Sequence, residues 1–187
     1  MEPVTEAHCG AVWITGMSGV GKSTVARLVA DRLTAMGRCP ILLDGDRLRA
    51  IVPVPMGYEP RDRLRMARFY AQLTHELVTQ GHLVLCATVS LFHEVHGWNR
   101  ANIPGYLEVW MRAPIEELRG RAGKADFYPD PTTGRRALPH VVGVHTTAEF
   151  PRSSDLVIDN HGATTADLAA DRIVEVLTAR GAHPAER

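Results

Sequence analysis

The chain has 187 residues, 45% of them hydrophobic, with 21 basic and 21 acidic side chains and a formal net charge of zero. This length suits one domain, 1–187, with a sizeable core, and the neutral balance excludes a whole-protein field that would draw in nucleic acid or an anionic membrane surface, so any polyanion must be met locally. Cys9, Cys39 and Cys86 are odd in number and form no CxxC pair, which argues against a disulfide framework and a thiolate metal site and fits a reducing, cytoplasmic setting.

The N-terminal MEPVTEAHCG lacks an apolar core for a leader, and no apolar run approaches the ~20 residues of a membrane span. A soluble, cytoplasmic chain is expected. Apolar runs then alternate with longer stretches of helical period, the pattern of an α/β domain with a parallel sheet. In chain order, AVWIT (11–15) reads as a buried strand and 22–36 as a helix with Val25, Leu28, Val29, Leu33 and Met36 on one face, ending at Gly37. PILLD (40–44) is the second strand and 59–79 the second helix. LVLCA (83–87), YLEVWM (106–111) and DLVID (155–159) complete five strands. Short helices are expected at 92–102 and 114–121, with a closing helix at 164–180. Residues 122–140, rich in Pro, Gly and Arg, are too long for an ordinary connection and read as a mobile lid or a disordered loop.

Between the first strand and first helix stands GMSGVGKS, Gly16 to Ser23, which fills every fixed position of G-x-x-x-x-G-K-[ST] in its required context. Gly16, Ser18, Gly19, Val20, Gly21, Ser23 and Thr24 belong to a loop whose backbone N–H groups turn inward around phosphate at a helix N-terminus. Lys22 reaches the β/γ-phosphates and the Ser23 hydroxyl binds Mg²⁺. Only Lys22 and Lys124 of the 21 basic residues are lysines, so an ammonium at this position is informative. The bland alternative is a glycine-rich turn that caps a helix.

A phosphate loop leaves open whether the protein is a kinase, a hydrolase or a switch. The second strand ends in LLDGDRLR, residues 42–49, on the sheet edge that carries the loop. Asp44 is placed to hold Mg²⁺ through water, and Asp46 to accept or orient the proton of an attacking hydroxyl. Alternatively, Asp46 simply caps the next helix. A GTPase-type switch lacks its N-K-x-D, and the one D-x-x-G, Asp159 to Gly162, follows the wrong strand. A non-catalytic nucleotide-binding module, in which Asp46 has no role, is the other rival.

These residues resemble the adenylylsulfate (APS) kinases, in order from Gly16 to about Asp159. GMSGVGKST and LLDGDRLR are similar to that family's phosphate loop and D-G-D-N-[VIL]-R block, with Arg47 where asparagine is usual. Gly57, Tyr58, Asp62 and Arg63 resemble its G-[FY]-S…DR block, and Ser90 the serine of its I-S-P segment. The resemblance implies a three-layer P-loop kinase fold with a five-stranded parallel sheet and a mobile lid, ATP and Mg²⁺ as cofactors, and a small-molecule nucleotide acceptor phosphorylated on its ribose 3′-OH. Arg49 and Arg63 are then candidates for the acceptor's 5′-phosphate end. Members are often dimers, which leaves a homodimer as an option.

The departures are as informative. The family's base-reading asparagine falls on Met66 and its F-T-G phenylalanine on Val141, so the adenine loses an amide and one stacking face, the latter worth roughly 1–3 kcal/mol. SLFHEVHGWNRANIPGYLEVW, residues 90–110, resembles an APS-kinase-like branch whose acceptor can be a cytidine diphosphate derivative. Its lid block R-D-x-K-G-L-Y becomes RAGKADFY, placing Arg121 and Lys124 at the lid, with Ala122 replacing the acid and Arg135 and Arg136 as further charge partners. His93 and His96 lack a third ligand and read as surface features rather than a metal site. Trp98 and Trp110 are candidates to stack on a base, with core packing favoured for Trp110. The Arg61, Arg65, Arg68 stripe reads as a phosphate contact or a solvated face.

Overall fold

Strand β1 (Gly10–Thr15) carries no polar side chain before Thr15 and is buried along its whole length, as is β3 (Leu83–Thr88). Such strands need cover on both faces, which a parallel sheet flanked by helices supplies. The computed structural model describes residues 10–121, 123–124, 126–130, 132 and 138–181. Strands β2 (Ile41–Asp44), β4 (Tyr106–Arg112) and β5 (Leu156–Asp159) complete a five-stranded sheet of order β2-β3-β1-β4-β5, every pairing parallel.

Successive side chains of a strand point to opposite faces, and the two cores divide accordingly. Val12 and Ile14 join Leu85, Val109 and Met111 beneath helices α1 (Lys22–Ala35) and α6 (Ala166–Gly181). Ala11 and Trp13 join Val84 and Cys86 beneath α3 (Pro60–Thr79) and α4 (His93–Asn102). The result is three layers. Arg32 of α1 ties the first layer together by pairing with Asp167 and Asp171 of α6, at 3.0 and 2.7 Å.

The expected strands and long helices appear within about two residues at each end. The closing helix starts at Ala166 because the Thr165 hydroxyl accepts the Leu168 N–H at 3.2 Å. Short α5 (Ile115–Gly120) follows Pro114 as expected. Helix α2 (Gly45–Ile51) shows no apolar period in its seven residues, and only the reading of an aspartate as a helix cap points to it. It forms because the Asp44 carboxylate accepts the N–H groups of Asp46 and Arg47. Among the described residues no helix is long and apolar enough to cross a membrane.

In a parallel sheet with this order, the carboxyl ends of β1, β2 and β3 open on one edge. There the chain leaves β1 into the glycine loop, β2 into α2, and β3 into residues 88–92.

Candidate active site

The loop from Gly16 to Gly21 cannot be built from ordinary residues. Gly16 has φ +148°, and a Cβ there would lie 2.1 Å from the Met111 carbonyl oxygen. Gly21 has φ +99° and serves as N-cap of α1, where a Cβ would come 2.6 Å from the Asn160 amide. Lys22 opens the helix with its ammonium turned into the loop, donating to the carbonyls of Gly16 at 2.9 Å and Met17 at 2.8 Å. Burial lowers its pKa to about 8, with Asp46 and Asp44 pulling up and Lys124 pulling down.

A cavity of about 310 Å³ spans this edge of the sheet. Ser18, Gly19, Gly21, Lys22, Ser23 and Thr24 form one end; Asp44, Asp46, Arg49, Tyr58, Arg63 and Met66 form the wall beside α2 and α3. The sequence-derived residues therefore meet in one place. Val20 does not line it: its side chain is fully buried in the core, and its carbonyl accepts from Asn160 Nδ2 at 2.8 Å. Gly16 likewise acts through its carbonyl to Lys22.

The capping role that the sequence offers to Asp46 falls to its neighbour. Asp44, not Asp46, caps α2: its Oδ1 accepts from Asp46 at 3.0 Å and Arg47 at 3.2 Å. Its other oxygen has no protein hydrogen bond among the described residues, and the exposed Asp46 carboxylate has none either. With the Ser23 hydroxyl at the loop end of the same cavity, the free Asp44 oxygen supplies the hard donors that a Mg²⁺ ion with several waters takes. The residues present fit that ion.

Arg49 donates to the carbonyls of Met56 and Gly57 at 3.0 and 2.9 Å, and Arg63 to those of Tyr58 and His140 at 2.9 and 2.7 Å. Both guanidiniums also lie over the Tyr58 ring, 4.7 and 5.2 Å from its centroid. No carboxylate is hydrogen-bonded to either among the described residues. Burial and the neighbouring Arg49 hold the Arg63 pKa down. Two cations that share one ring without a counterion favour an anion between them.

Met66 is buried and lines the wall, but Val141 belongs to the core beneath α1, and Val142 faces the cavity in its place. Val141 therefore does not line the cavity as expected; the valine after it does. The far wall was largely missed: Tyr70, Thr88, Leu91, Phe92 and Thr147 complete it. Tyr70 donates to the Gly45 carbonyl at 2.8 Å, and burial pushes its hydroxyl up to about 12. Ser90 pairs with Thr88 through their hydroxyls at 2.8 Å, and its carbonyl meets His96 Nε2 at 2.9 Å. Burial lowers His96 to about 4, so the ring is neutral with its proton on Nε2. His96 is thus an interior support for the cavity floor rather than a surface feature; among the described residues it joins no cluster of three or more His, Cys, Asp or Glu side chains placed to hold a metal. His93 pins the neighbouring turn, with its N–H on Glu149 at 2.6 Å and its ring on the Phe150 carbonyl at 3.0 Å.

Trp98 packs edge-on with His75 and Trp110 leans on Phe150, both away from the cavity. Arg68 pairs with Glu94, so that end of the arginine stripe binds a carboxylate. Of the lid residues, Lys124 lines the cavity and donates to Ser18 Oγ at 3.2 Å. Arg121 is not in the wall; it donates to the carbonyls of Gly19, at 2.9 Å, and Asn160. Arg135, Arg136 and Ala122 lie outside the described residues.

A parallel sheet of this order, with a glycine loop, a buried lysine and two carboxylates on one edge, is the frame of a P-loop protein. The adenylylsulphate kinase family model matches residues 8–159. This chain belongs to that family.

It is 32% identical over 157 residues to an adenylyl-sulfate kinase of Paraburkholderia xenovorans, covering 83% of this chain and 86% of that one. It is 30% identical over 166 residues to a cytidine diphosphoramidate kinase of Campylobacter jejuni, covering 89% and 95%. Against the bifunctional enzyme NodQ of Azospirillum brasilense the identity is 33%, but the chain spans only 27% of that protein's length. The structure of the Mycobacterium tuberculosis APS kinase CysC in complex with AMPPNP and APS superposes with a TM-score of 0.78 at 28% identity, covering 91% and 99% of the two chains. The chain is accordingly a kinase of the APS-kinase type, a phosphotransferase with an alcohol group as acceptor.

Proposed function

We propose that the enzyme transfers the γ-phosphoryl group of ATP to the ribose 3′-OH of a 5′-substituted nucleotide, adenylylsulfate or a relative of it. The observation that carries this reading is one shared cavity, in which the lysine-bearing phosphate loop faces Asp46 and, beyond it, Arg49 and Arg63, neither of them hydrogen-bonded to a carboxylate among the described residues. ATP phosphates lie along the Gly19–Thr24 end, with Lys22 leaving the Gly16 and Met17 carbonyls for them. Ser23 and, through water, the free oxygen of Asp44 would hold a Mg²⁺ ion, which would neutralise charge on the phosphates. Asp46 orients the acceptor hydroxyl and takes its proton as the O–P bond forms. Arg49 and Arg63 hold the anionic 5′ end. Lys22 and Lys124 supply fixed positive charge where negative charge spreads in a loose transition state.

A second reading of the acceptor is a cytidine diphosphate derivative. Buried Met66 and Val142 offer neither an amide nor a ring to a base, and a cytidine diphosphoramidate kinase matches this chain about as well as the adenylyl-sulfate kinase does. One experiment decides: ATP, Mg²⁺ and a panel of APS, cytidine diphosphate derivatives and other nucleotides, read by mass for the gain of one phosphate. ATP consumption with none of them phosphorylated contradicts the proposal.

A further inference from the structure

A trans peptide unit is planar, so its C=O and the following N–H point in opposite directions. Fixing a carbonyl outward therefore fixes the next N–H inward. In the phosphate loop three successive carbonyls are each taken by a side chain from outside it. The Tyr128 hydroxyl donates to Ser18 at 3.0 Å, Arg121 Nη1 to Gly19 at 2.9 Å, and Asn160 Nδ2 to Val20 at 2.8 Å.

The corresponding N–H groups belong to Gly19, Val20 and Gly21. That of Val20 closes a turn on the Met17 carbonyl at 3.3 Å. Those of Gly19 and Gly21 have no protein partner among the described residues, and both residues line the cavity. The two peptide units that offer free donors are thus the two gripped by Tyr128 and Asn160. Arg121 braces the pair, since its other nitrogen donates to the Asn160 carbonyl.

Each gripping side chain is itself fixed. The Tyr128 ring is 1% exposed within the core beneath α1, and its carbonyl accepts from Arg119 Nε at 2.8 Å. Burial pushes its hydroxyl up to about 12, so it remains a donor. Asn160, which directly follows β5, is 7% exposed and donates its backbone N–H to Arg112 at 2.9 Å.

We infer that Tyr128 and Asn160 are positioning residues for the phosphate cradle, holding the Ser18 and Val20 carbonyls so that the Gly19 and Gly21 N–H groups are aimed at bound phosphate before it arrives. This deepens the kinase reading and rests on it. The segment around Arg121 and Tyr128 then acts on the phosphate loop from its outer side, while Lys124 reaches the cavity from the same segment. Preorganised donors bind an anion without the cost of ordering them.

The test uses the full chain with Tyr128→Phe, which removes one hydroxyl and keeps the ring in the core, and Asn160→Ala as an independent second variant. Dissociation constants for ATP and for inorganic tripolyphosphate, each with Mg²⁺, are measured beside the acceptor KM. The loss of one positioning hydrogen bond is expected to weaken both polyanions together by roughly 3- to 30-fold in each variant, with the acceptor KM within about twofold. Nucleotide affinity within twofold of wild type in both variants overturns the inference. So does a loss for ATP with tripolyphosphate unchanged, which would place the effect at the adenosine end. A wild-type chain that binds neither ligand contradicts the kinase reading instead.

Discussion

Asp44 Oδ1 accepts the backbone N–H of Asp46 at 3.0 Å, so the first carboxylate of the DGD sequence sets the position of the second. The glycine between them is buried against Thr88, where a Cβ would lie 3.1 Å from the hydroxyl. The pair is therefore one cap, α2, and one exposed carboxylate aimed into the cavity.

Asp46→Asn is expected to lower turnover by roughly 10²-fold or more, the range for a positioned base, with ATP affinity little changed. Asp44→Asn keeps a good cap and raises the Mg²⁺ requirement, whereas Asp44→Ala also costs about 1 kcal/mol of stability. Steady-state kinetics, a Mg²⁺ titration and thermal unfolding separate the three. Identical behaviour of both Asn variants would contradict the division of roles.

Lys22→Ala is expected to abolish phosphoryl transfer while the fold survives, because the ammonium donates to loop carbonyls and Lys22 is not part of either apolar core. In the free protein Lys22 loses its proton as pH rises through about 8, since burial opposes the charge. Bound phosphate favours the charged form. ATP affinity should then fall above that pH, by at most about tenfold per unit for one proton. Binding measured from pH 7 to pH 9.5 checks this, and a flat profile refutes it.

Acceptor choice is expected to follow Met66 and Val142. Met66→Asn with Val142→Phe restores an amide and a ring to the wall and should raise kcat/KM for APS by tenfold or more relative to cytidine diphosphate derivatives. Val141→Phe instead enlarges a buried core residue, 4% exposed, and costs about 1–3 kcal/mol without changing selectivity. Competition assays with paired acceptors distinguish the two positions.

Away from the cavity, Glu108 is buried on β4, accepting from the Tyr106 hydroxyl at 2.9 Å with Arg100 at 3.6 Å. Burial pushes its carboxyl up, opposed by those two neighbours. A folded-state pKa above the unfolded one gives stability that is present below the unfolded value and lost as pH rises through the folded one. Glu108→Gln keeps an acceptor for Tyr106 and escapes that loss. Its unfolding temperature should exceed wild type at pH 8, with a smaller difference at pH 4.5. A larger gain at the acid end would reverse the sign and refute it.

Short-range chemistry made most of the fold legible in the sequence. The five apolar runs, the helix periods between them and GMSGVGKS each depend on residues that are neighbours in the chain, so their spacing reveals them. The same holds for the placing of Asp44 and Asp46 beside the phosphate loop, because a parallel sheet leaves little choice of edge, whereas Arg49, Tyr58 and Arg63 were indicated only by the resemblance to the APS kinases. Helix α2 was indicated only through a capping aspartate, because it is held by a cap rather than by an apolar face, and Val141 and Val142 are adjacent valines whose exchange of core for cavity no local pattern marks. Tyr128 and Asn160 reach the phosphate loop across sequence separations of 110 and 140 residues. Sequence by itself determined the sheet, the loop and the chemistry at its edge. Which valine faces the cavity and which distant side chains grip the loop were decided only by tertiary packing, since each depends on a carbonyl or a wall contributed by another part of the chain.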